Sequence, residues 1–533
     1  MTQSQRWTLI AAILGSGIVF LDSTVVNVAL PKIGQQLPSA LFGVLEGQSY
    51  IYNGYLLTLS ALLILAGALN DFHGRKRMFT LGLAGFLLTS LLCGIAPNLE
   101  VLVAFRVLQG VAGAILVPGS LALLTVTFSG EAQGRAFGLW AGASAATTIL
   151  GPFVGGILVD TLSWRAAFLI NVPLLAIALW ATVRHVAESR DERASGSFDW
   201  LGAGAVALAV GGLSFGTIYG QQREWRDPLG FVLLGAGAVA TIALPFLMLR
   251  RRDPLIPPEL FRSRNFTVTN ISTFLIYGAL YVVGYYLTIF VQGVVGFTAA
   301  AAGLAFIPSG LFLVFLSARF GALSGRLGPR LFMVVGPALM ALGIAWYARL
   351  PPDTAPWLFA PNDATTWLPP ASYFVDLLPA SILFGFGLSM MVAPLTTALM
   401  TSVPPRNSGV ASAINNAISR VGPQLAGALI FVAITASFYA GLRQIAPAVD
   451  TNSEEVRRAI APLNVGASKI SVPVDTSTLI DAERRASTDA FHLAMLIATA
   501  LLVAGAAVNA VGIRDHVPRA AEPGAARVPA ASD

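Results

Sequence analysis

Gly67-Ala-Leu-Asn-Asp-Phe-His-Gly-Arg-Lys-Arg77 lies between two long apolar runs, Tyr50–Ala66 and Met78–Ala96. Each run approaches the roughly 20 apolar residues that cross the hydrocarbon core as a helix. A connection this short must reverse the chain at once, which Gly74 permits by tolerating a positive φ. Arg75, Lys76 and Arg77 crowd three cations into the turn. Short loops rich in Lys and Arg stay on the cytoplasmic side, so the stretch sets a topology as well as a hairpin.

The rest of the chain repeats that pattern. Of its 533 residues 55% are hydrophobic and only 11% charged, with a mean hydropathy of +0.72. Soluble domains carry roughly 25% charged residues. An all-α polytopic membrane protein follows, because helices satisfy every backbone group within the segment. Apolar runs predict fourteen spans, near 7–30, 47–69, 78–96, 99–125, 135–159, 165–184, 199–219, 229–249, 266–292, 300–325, 330–349, 372–400, 407–437 and 490–512. The first run exceeds a signal-peptide core and lacks a small-x-small cleavage site, so it reads as a retained span.

Charge placement supports the count. With the N-terminus inside, the cytoplasmic connections collect Arg6, Arg75, Lys76, Arg77, Arg135, Arg184, Arg190, Arg193, Arg250, Arg251, Arg252, Arg262, Arg264, Arg319, Arg326, Arg330, Arg406, Arg514, Arg519 and Arg527. The short outer loops hold only Lys32, Arg165, Arg223, Arg226 and Arg349. Omitting any single span scrambles this asymmetry. Both ends are therefore expected in the cytoplasm, and the long stretch 440–489 outside, with room for one helix. Segment Pro351–Pro370 suits an extended outer loop, Ile256–Arg264 a segment along the membrane surface, and Val517–Asp533 a disordered tail.

Several function classes drop out. The formal charge of +6 is scattered over short loops rather than gathered on one face, so nucleic acid is not an expected partner. Cys93 is the only cysteine, which excludes an intrachain disulfide and a thiolate metal cluster. There is no Walker loop, so ATP drive is not expected. No enzyme activity, cofactor or metal is expected.

Gly67-Ala-Leu-Asn-Asp-Phe-His-Gly-Arg-Lys recurs in degenerate form as Gly321-Ala-Leu-Ser-Gly-Arg-Leu-Gly-Pro-Arg330, and Gly151-Pro-Phe-Val-Gly-Gly156 is echoed by Gly422-Pro-Gln-Leu-Ala-Gly427. The repeat divides the chain into residues 1–184 with six spans, 185–265 with two inserted spans and cytoplasmic linkers, 266–512 with six spans and the outer stretch 440–489, and the tail 513–533.

The basic loop resembles the signature loop of the major facilitator superfamily, Gly-x-Leu-Ala-Asp-x-x-Gly-Arg-Lys. Gly67, Leu69, Asp71, Gly74, Arg75 and Lys76 match it, while Asn70 and Phe72 depart from the commoner Ala and Arg. Leu21-Asp-Ser-Thr-Val-Val-Asn-Val-Ala-Leu-Pro31 and Trp164-Arg-x-x-Phe-x-x-Asn-Val-Pro173 are similar to the fourteen-span drug:proton antiporters (EmrB/QacA type). The resemblance implies a major facilitator fold, with two six-helix halves and the substrate site between them. It also implies a conformational gate at Gly67, Asp71, Gly74, Arg75 and Arg406. Asp71 is expected at the start of the thirteenth span, where the helix dipole and Arg406 favour a carboxylate.

Asp22 is a carboxylate well inside the first span. An ionisable group there costs at least roughly 2.5–3.5 kcal/mol and usually marks function. A neutral Asp bonded to a neighbouring helix is the plainer alternative. In the fourth span, Arg106-Val-Leu-Gln-Gly-Val-Ala-Gly-Ala114 resembles the superfamily's Arg-x-x-x-Gly stretch, implicated in proton coupling; an Arg snorkelling to the interface is the alternative. Depth separates the two. Arg106 lies eight residues from Asn98 and Asp22 nine from Pro31. At helical rise both sit roughly 12–13 Å below the outer boundary, which makes a pair plausible.

Gly151, Pro152, Gly155 and Gly156 resemble the motif that marks exporters; ordinary small-residue packing explains them equally well. In the thirteenth span, Asn415, Asn416, Ser419 and Arg420 cannot all face lipid. With Asn27 and Gln109, residues Asn415, Asn416 and Arg420 are candidates for the substrate cavity, helix–helix hydrogen bonding being as good an account. Relatives that take divalent cations carry an acid in the tenth span, and Gly303–Leu323 has none.

Together these readings predict a proton-driven efflux antiporter for lipophilic compounds in the cell (inner) membrane. The proton gradient would be its energy source. Lipophilic substrate, protons and membrane lipid would be its partners, a periplasmic adaptor protein a further one, and the monomer its working form. Export of one endogenous metabolite or lipid is the alternative. A non-transporting membrane sensor or scaffold is the second.

Overall fold

A computed structural model describes residues 1–39, 44–190, 198–222, 225, 227–251, 253–360, 363–453, 456–457, 460, 462–463, 465–466 and 474–515. Among the described residues the regular structure is entirely helical. Fourteen long helices fall where the apolar runs predict them: α1 (Gln3–Gln36), α2 (Val44–His73), α3 (Arg75–Gly94), α4 (Leu99–Thr127), α5 (Gly130–Thr161), α6 (Asn171–His185), α7 (Trp200–Gln222), α8 (Pro228–Arg250), α9 (Arg264–Gly293), α10 (Ile307–Leu327), α11 (Arg330–Tyr347), α12 (Leu378–Thr401), α13 (Ser408–Ile445) and α14 (Thr476–Gly512). Thirteen candidate spans are long and apolar enough to cross a membrane, and α5, at 32 residues, takes the fifth expected position.

Local chemistry explains where helices start. Thr2 and Gln5 form a capping box on α1, Asn98 caps α4 through the Val101 N–H, and Asp227 caps α8 ahead of Pro228. Proline explains breaks inside the predicted spans. Pro308 and Pro379 each stand at the second position of a helix, and a short helix precedes each of them, Ala299–Ala305 and Ala371–Asp376. The sixth span is likewise preceded by a single turn, Ala166–Leu169.

The largest departure is at 440–489. Helix α13 runs on to Ile445 and α14 already begins at Thr476, so both ends of the expected loop are helical. Charges at Arg443, Asp481, Arg484 and Arg485 mark departure from the apolar layer without ending a helix. Leu442, Leu479, Ala482 and Ala486 stay buried and continue the packing. In segment Ile256–Arg264, Glu259–Arg262 forms a short helix just ahead of α9, and Leu255, Ile256 and Leu260 are buried against the bundle, with the Leu255 N–H donating to Asp199 at 3.2 Å. Among its described residues, Pro351–Pro370 holds one short turn of helix, Ala364–Thr366, and no span. Of the predicted disordered tail, Val517–Asp533 lies outside the described residues.

Helices α1–α6 pack largely on one another, and so do α9–α14, with α7 and α8 paired to each other and α7 leaning on α2 and α13. The two most extensive crossings between these groups are α2 on α13 and α5 on α10, with α4 also touching α13 and α5 touching α12. Both main crossings are backbone to backbone. A methyl on Gly67 would collide with the Gly409 carbonyl, and one on Gly134 with the Gly321 carbonyl.

The repeat read from the sequence is visible here. Gly74 and Gly328 hold φ of +104° and +87° at equivalent turns. A carboxylate just past the last helix of each group binds the helix start that follows. Glu188 accepts from the Lys76 and Arg77 N–H groups, both at 3.0 Å, and Asp515 from the Arg330 N–H, also at 3.0 Å. Anions are favoured at helix N-termini for this reason.

Candidate functional site

Asp22 and Arg106 meet. Both side chains are fully buried and form an ion pair between the Asp22 Oδ2 and the Arg106 Nη1. The other oxygen, Oδ1, accepts from Asn171 Nδ2 at 2.9 Å and Gln109 Nε2 at 3.3 Å. Arg106 also donates to Gln109 Oε1 at 2.7 Å and to the Ile51 carbonyl at 3.2 Å, and its guanidinium lies 4.1 Å from the centre of the Tyr55 ring. Ser90 Oγ accepts from Gln109 Nε2 at 2.8 Å and from Asn171 Nδ2 at 3.3 Å. Helices α1, α2, α3, α4 and α6 thus converge on one carboxylate.

Such a network suits a buried charge, which is tolerable only when paired and hydrogen-bonded. Two of its atoms nonetheless lack partners among the described residues, Arg106 Nη2 and Asn171 Oδ1. Sequence reasoning missed Ser90, Tyr55 and Asn171. Asn171 stood inside a quoted motif, whereas a serine or tyrosine in an apolar run carries no signal of its neighbours.

The exporter-like glycines lie next to this network. A methyl on Gly151 would strike Thr24 of α1, and one on Gly155 would come within 3.0 Å of the Val25 Cα. Gly156 faces open space. The Pro152 side chain lies outside the described residues.

A second cluster closes the end of the bundle that carries the basic loop. Asp71 Oδ1 accepts from Arg75 Nε at 3.0 Å and Nη2 at 2.7 Å, while Oδ2 accepts from the Val410 N–H in the first turn of α13 at 3.0 Å. Arg75 Nη2 reaches on to the carbonyls of Pro405 (2.6 Å) and Arg406 (3.1 Å). The expected docking on α13 is present, but the cation against Asp71 is Arg75. Arg406, in the turn Pro405–Asn407, contributes its carbonyl instead, which accepts from Arg75 at the start of α3. At the α5–α10 crossing, Arg326 grips Glu131 with two bonds of 2.8 Å.

The cavity candidates separate. Gln109 belongs to the Asp22 network. Asn415 Nδ2 spans to α9, donating to Thr273 at 2.8 Å and Asn270 at 3.2 Å, and Asn416 Nδ2 returns to the Ser412 carbonyl at 2.9 Å. Asn27 is exposed and Arg420 half-buried. No group of three or more His, Cys, Asp or Glu side chains among the described residues could hold a metal.

A bundle of long apolar helices, internally repeated and joined by two glycine crossings, defines a multi-pass membrane protein of the transporter type. The family model of the Major Facilitator Superfamily matches residues 12–427, and the chain belongs to that superfamily. It is 32% identical over 432 residues to the multidrug resistance protein Stp of Mycobacterium tuberculosis, covering 81% of this chain and 76% of that one. It is also 32% identical over 429 residues to the tetracenomycin C resistance and export protein of Streptomyces glaucescens, covering 80% and 75%. In fold it resembles the crystal structure of human MFSD10 (TM-score 0.55, 15% identity, 94% and 100% coverage).

Proposed function

We propose that this chain exports lipophilic, drug-like compounds across the cytoplasmic membrane in exchange for protons, the gradient being its energy source, with both termini in the cytoplasm. Relatives named for multidrug resistance and for antibiotic export support the direction and substrate range. The observation that carries the coupling is the sealed Asp22–Arg106 network.

The proton step follows from its geometry. Ionised Asp22 is held by one guanidinium and two amide N–H groups. A proton on Asp22 cancels the ion pair and turns an acceptor into a donor. The unpartnered Oδ1 of Asn171, on the amide already bonded to Asp22, is the acceptor at hand. Arg106 keeps Gln109, Ile51 and the face of Tyr55, so it remains supported when its partner is neutral. Helix α1, which carries Asp22, packs on α5, and α5 is the arm that crosses to α10. A change of charge at Asp22 therefore acts on a helix shared by both halves.

The positive-inside rule puts the basic loop in the cytoplasm. Asp71, Arg75, Glu131 and Arg326 then close the cytoplasmic side, the arrangement an outward-facing state requires. Inward-facing binding requires these contacts to part. Purified full-length protein in liposomes tests the reading: a lipophilic substrate should trigger proton movement in wild type and not in Asp22→Asn. Uphill substrate transport by Asp22→Asn would remove Asp22 from the coupling role.

A further inference from the structure

Arg420 is a cation deep in a span that the Asp22 network does not use. It lies thirteen residues past Asn407, roughly 20 Å along α13 at helical rise, well within the apolar layer. Seven residues, two turns, separate it from Ala413, so both lie on one face of the helix. Ala413 is the residue that a methyl on Gly67 of α2 would strike. The face of Arg420 is thus turned toward the opposite half, above the point where the halves touch.

The guanidinium makes no ion pair or hydrogen bond among the described residues, and it is half-buried. The neighbouring intramembrane carboxylate, Asp22, is fully taken by Arg106, Asn171 and Gln109. One turn further along the same face, Gln424 has a buried Oε1 with no partner among the described residues. One turn back stands Asn416. This face of α13 therefore presents a guanidinium flanked by two amides.

An unpaired guanidinium at this depth is tolerable while the space is open to water. Closing the outer side expels that water and strands the charge, at a cost that a counter-charge removes. Taking the export reading as given, we infer that the transported molecules are lipophilic anions, or zwitterions that offer Arg420 a carboxylate, sulfonate or phenolate. Gln424 can donate to the acidic group from Nε2, and the apolar helix faces take the rest of the molecule. A lipophilic cation meets repulsion in the same place.

Tetraphenylborate and tetraphenylphosphonium share a shape and differ in the sign of their charge, so they isolate this term. Their binding to full-length protein in nanodiscs of zwitterionic lipid is measured by titration calorimetry, with empty nanodiscs subtracted. Wild type should favour the borate by about tenfold or more, the scale of attraction against repulsion for one partly solvated charge. Arg420→Gln should remove that preference and Arg420→Lys retain most of it. Gln424→Glu, which supplies a carboxylate one turn away and leaves Arg420 in place, should also remove it, and it decides the matter if Arg420→Gln does not fold. Equal binding of the two ions by wild type, or a preference that survives both neutralising variants, overturns the inference. Substrate-driven proton movement in liposomes is read separately. A borate preference without proton coupling sinks the antiport reading alone, and coupling through Asp22 without a preference sinks this inference alone.

Discussion

Asp22 is surrounded by groups that serve its ionised form, and each makes a separate prediction. Asp22→Asn keeps the shape and most hydrogen bonds while removing the charge, so expression should survive and substrate-driven proton movement should vanish. Arg106→Ala leaves a fully buried carboxylate without its cation, a loss of about 3–5 kcal/mol in comparable buried pairs. Its melting temperature in detergent should fall well below that of Asp22→Asn, and the double variant should recover part of the difference. Asn171→Leu tests the proton acceptor more gently. It removes one donor and the orphan oxygen together, so it should slow exchange at least severalfold with the fold intact; unchanged rates would put the proton on another acceptor. Gly74 is a residue of a different kind. Its φ of +104° and the Glu188 carboxylate 2.9 Å from any added Cβ both exclude a side chain. Gly74→Ala should cost about 1–2 kcal/mol from conformation alone, and more from displacing Glu188.

Among the helices, α5 bears the most consequential packing, since one stretch lies on α1 and another on α10. Gly151→Ala drives a methyl into Thr24, whereas Gly156→Ala meets open space. The first should reduce both stability and transport, the second neither; equal effects would show that this face of α5 does not set the α1–α5 spacing. These two glycines are indistinguishable in the sequence, where both belong to one motif. The helix count was legible there because bilayer thickness fixes span length and loop charge fixes direction. So was the Asp22–Arg106 pair, because equal depth in two helices can be counted in residues. The extents of α13 and α14 were not legible, since beyond the membrane a helix is held by packing partners that no apolar run announces. A polar residue in a span signals that it needs a partner, and for Asn415 the sequence could not name Asn270 and Thr273 of α9, which supply one. Arg75 rather than Arg406 faces Asp71 because i,i+4 geometry within α2 and its turn outranks a cation across the gap.

At the scale of the whole molecule, transport by alternating access needs the two halves to part where they now touch. The Asp71 cluster is buried and charge-assisted, while the Glu131–Arg326 pair is largely exposed and screened by solvent, so it contributes little. Asp71→Asn should therefore shift the population toward the inward-facing state, and Glu131→Gln should hardly move it. The weaker contact is the better place for a reversible lock. In a Cys93→Ser background, Glu131→Cys with Arg326→Cys places thiols on the outer rim of the α5–α10 crossing, where a short bifunctional thiosulfonate can bridge them. Bridged protein should lose transport and recover it on reduction. Because the lock sits at the basic end, bridging should leave the opposite end open to reagents. Two further single cysteines in the same background fix the sidedness on which this depends. Ser453→Cys, between α13 and α14, should label from outside. Ser195→Cys, in the α6–α7 connection beyond the described residues, should label only once the inside is exposed. Bridged protein that still transports at the normal rate would mean that the halves do not separate at α5 and α10. Labelling of both cysteines from one side would break the fourteen-span topology itself.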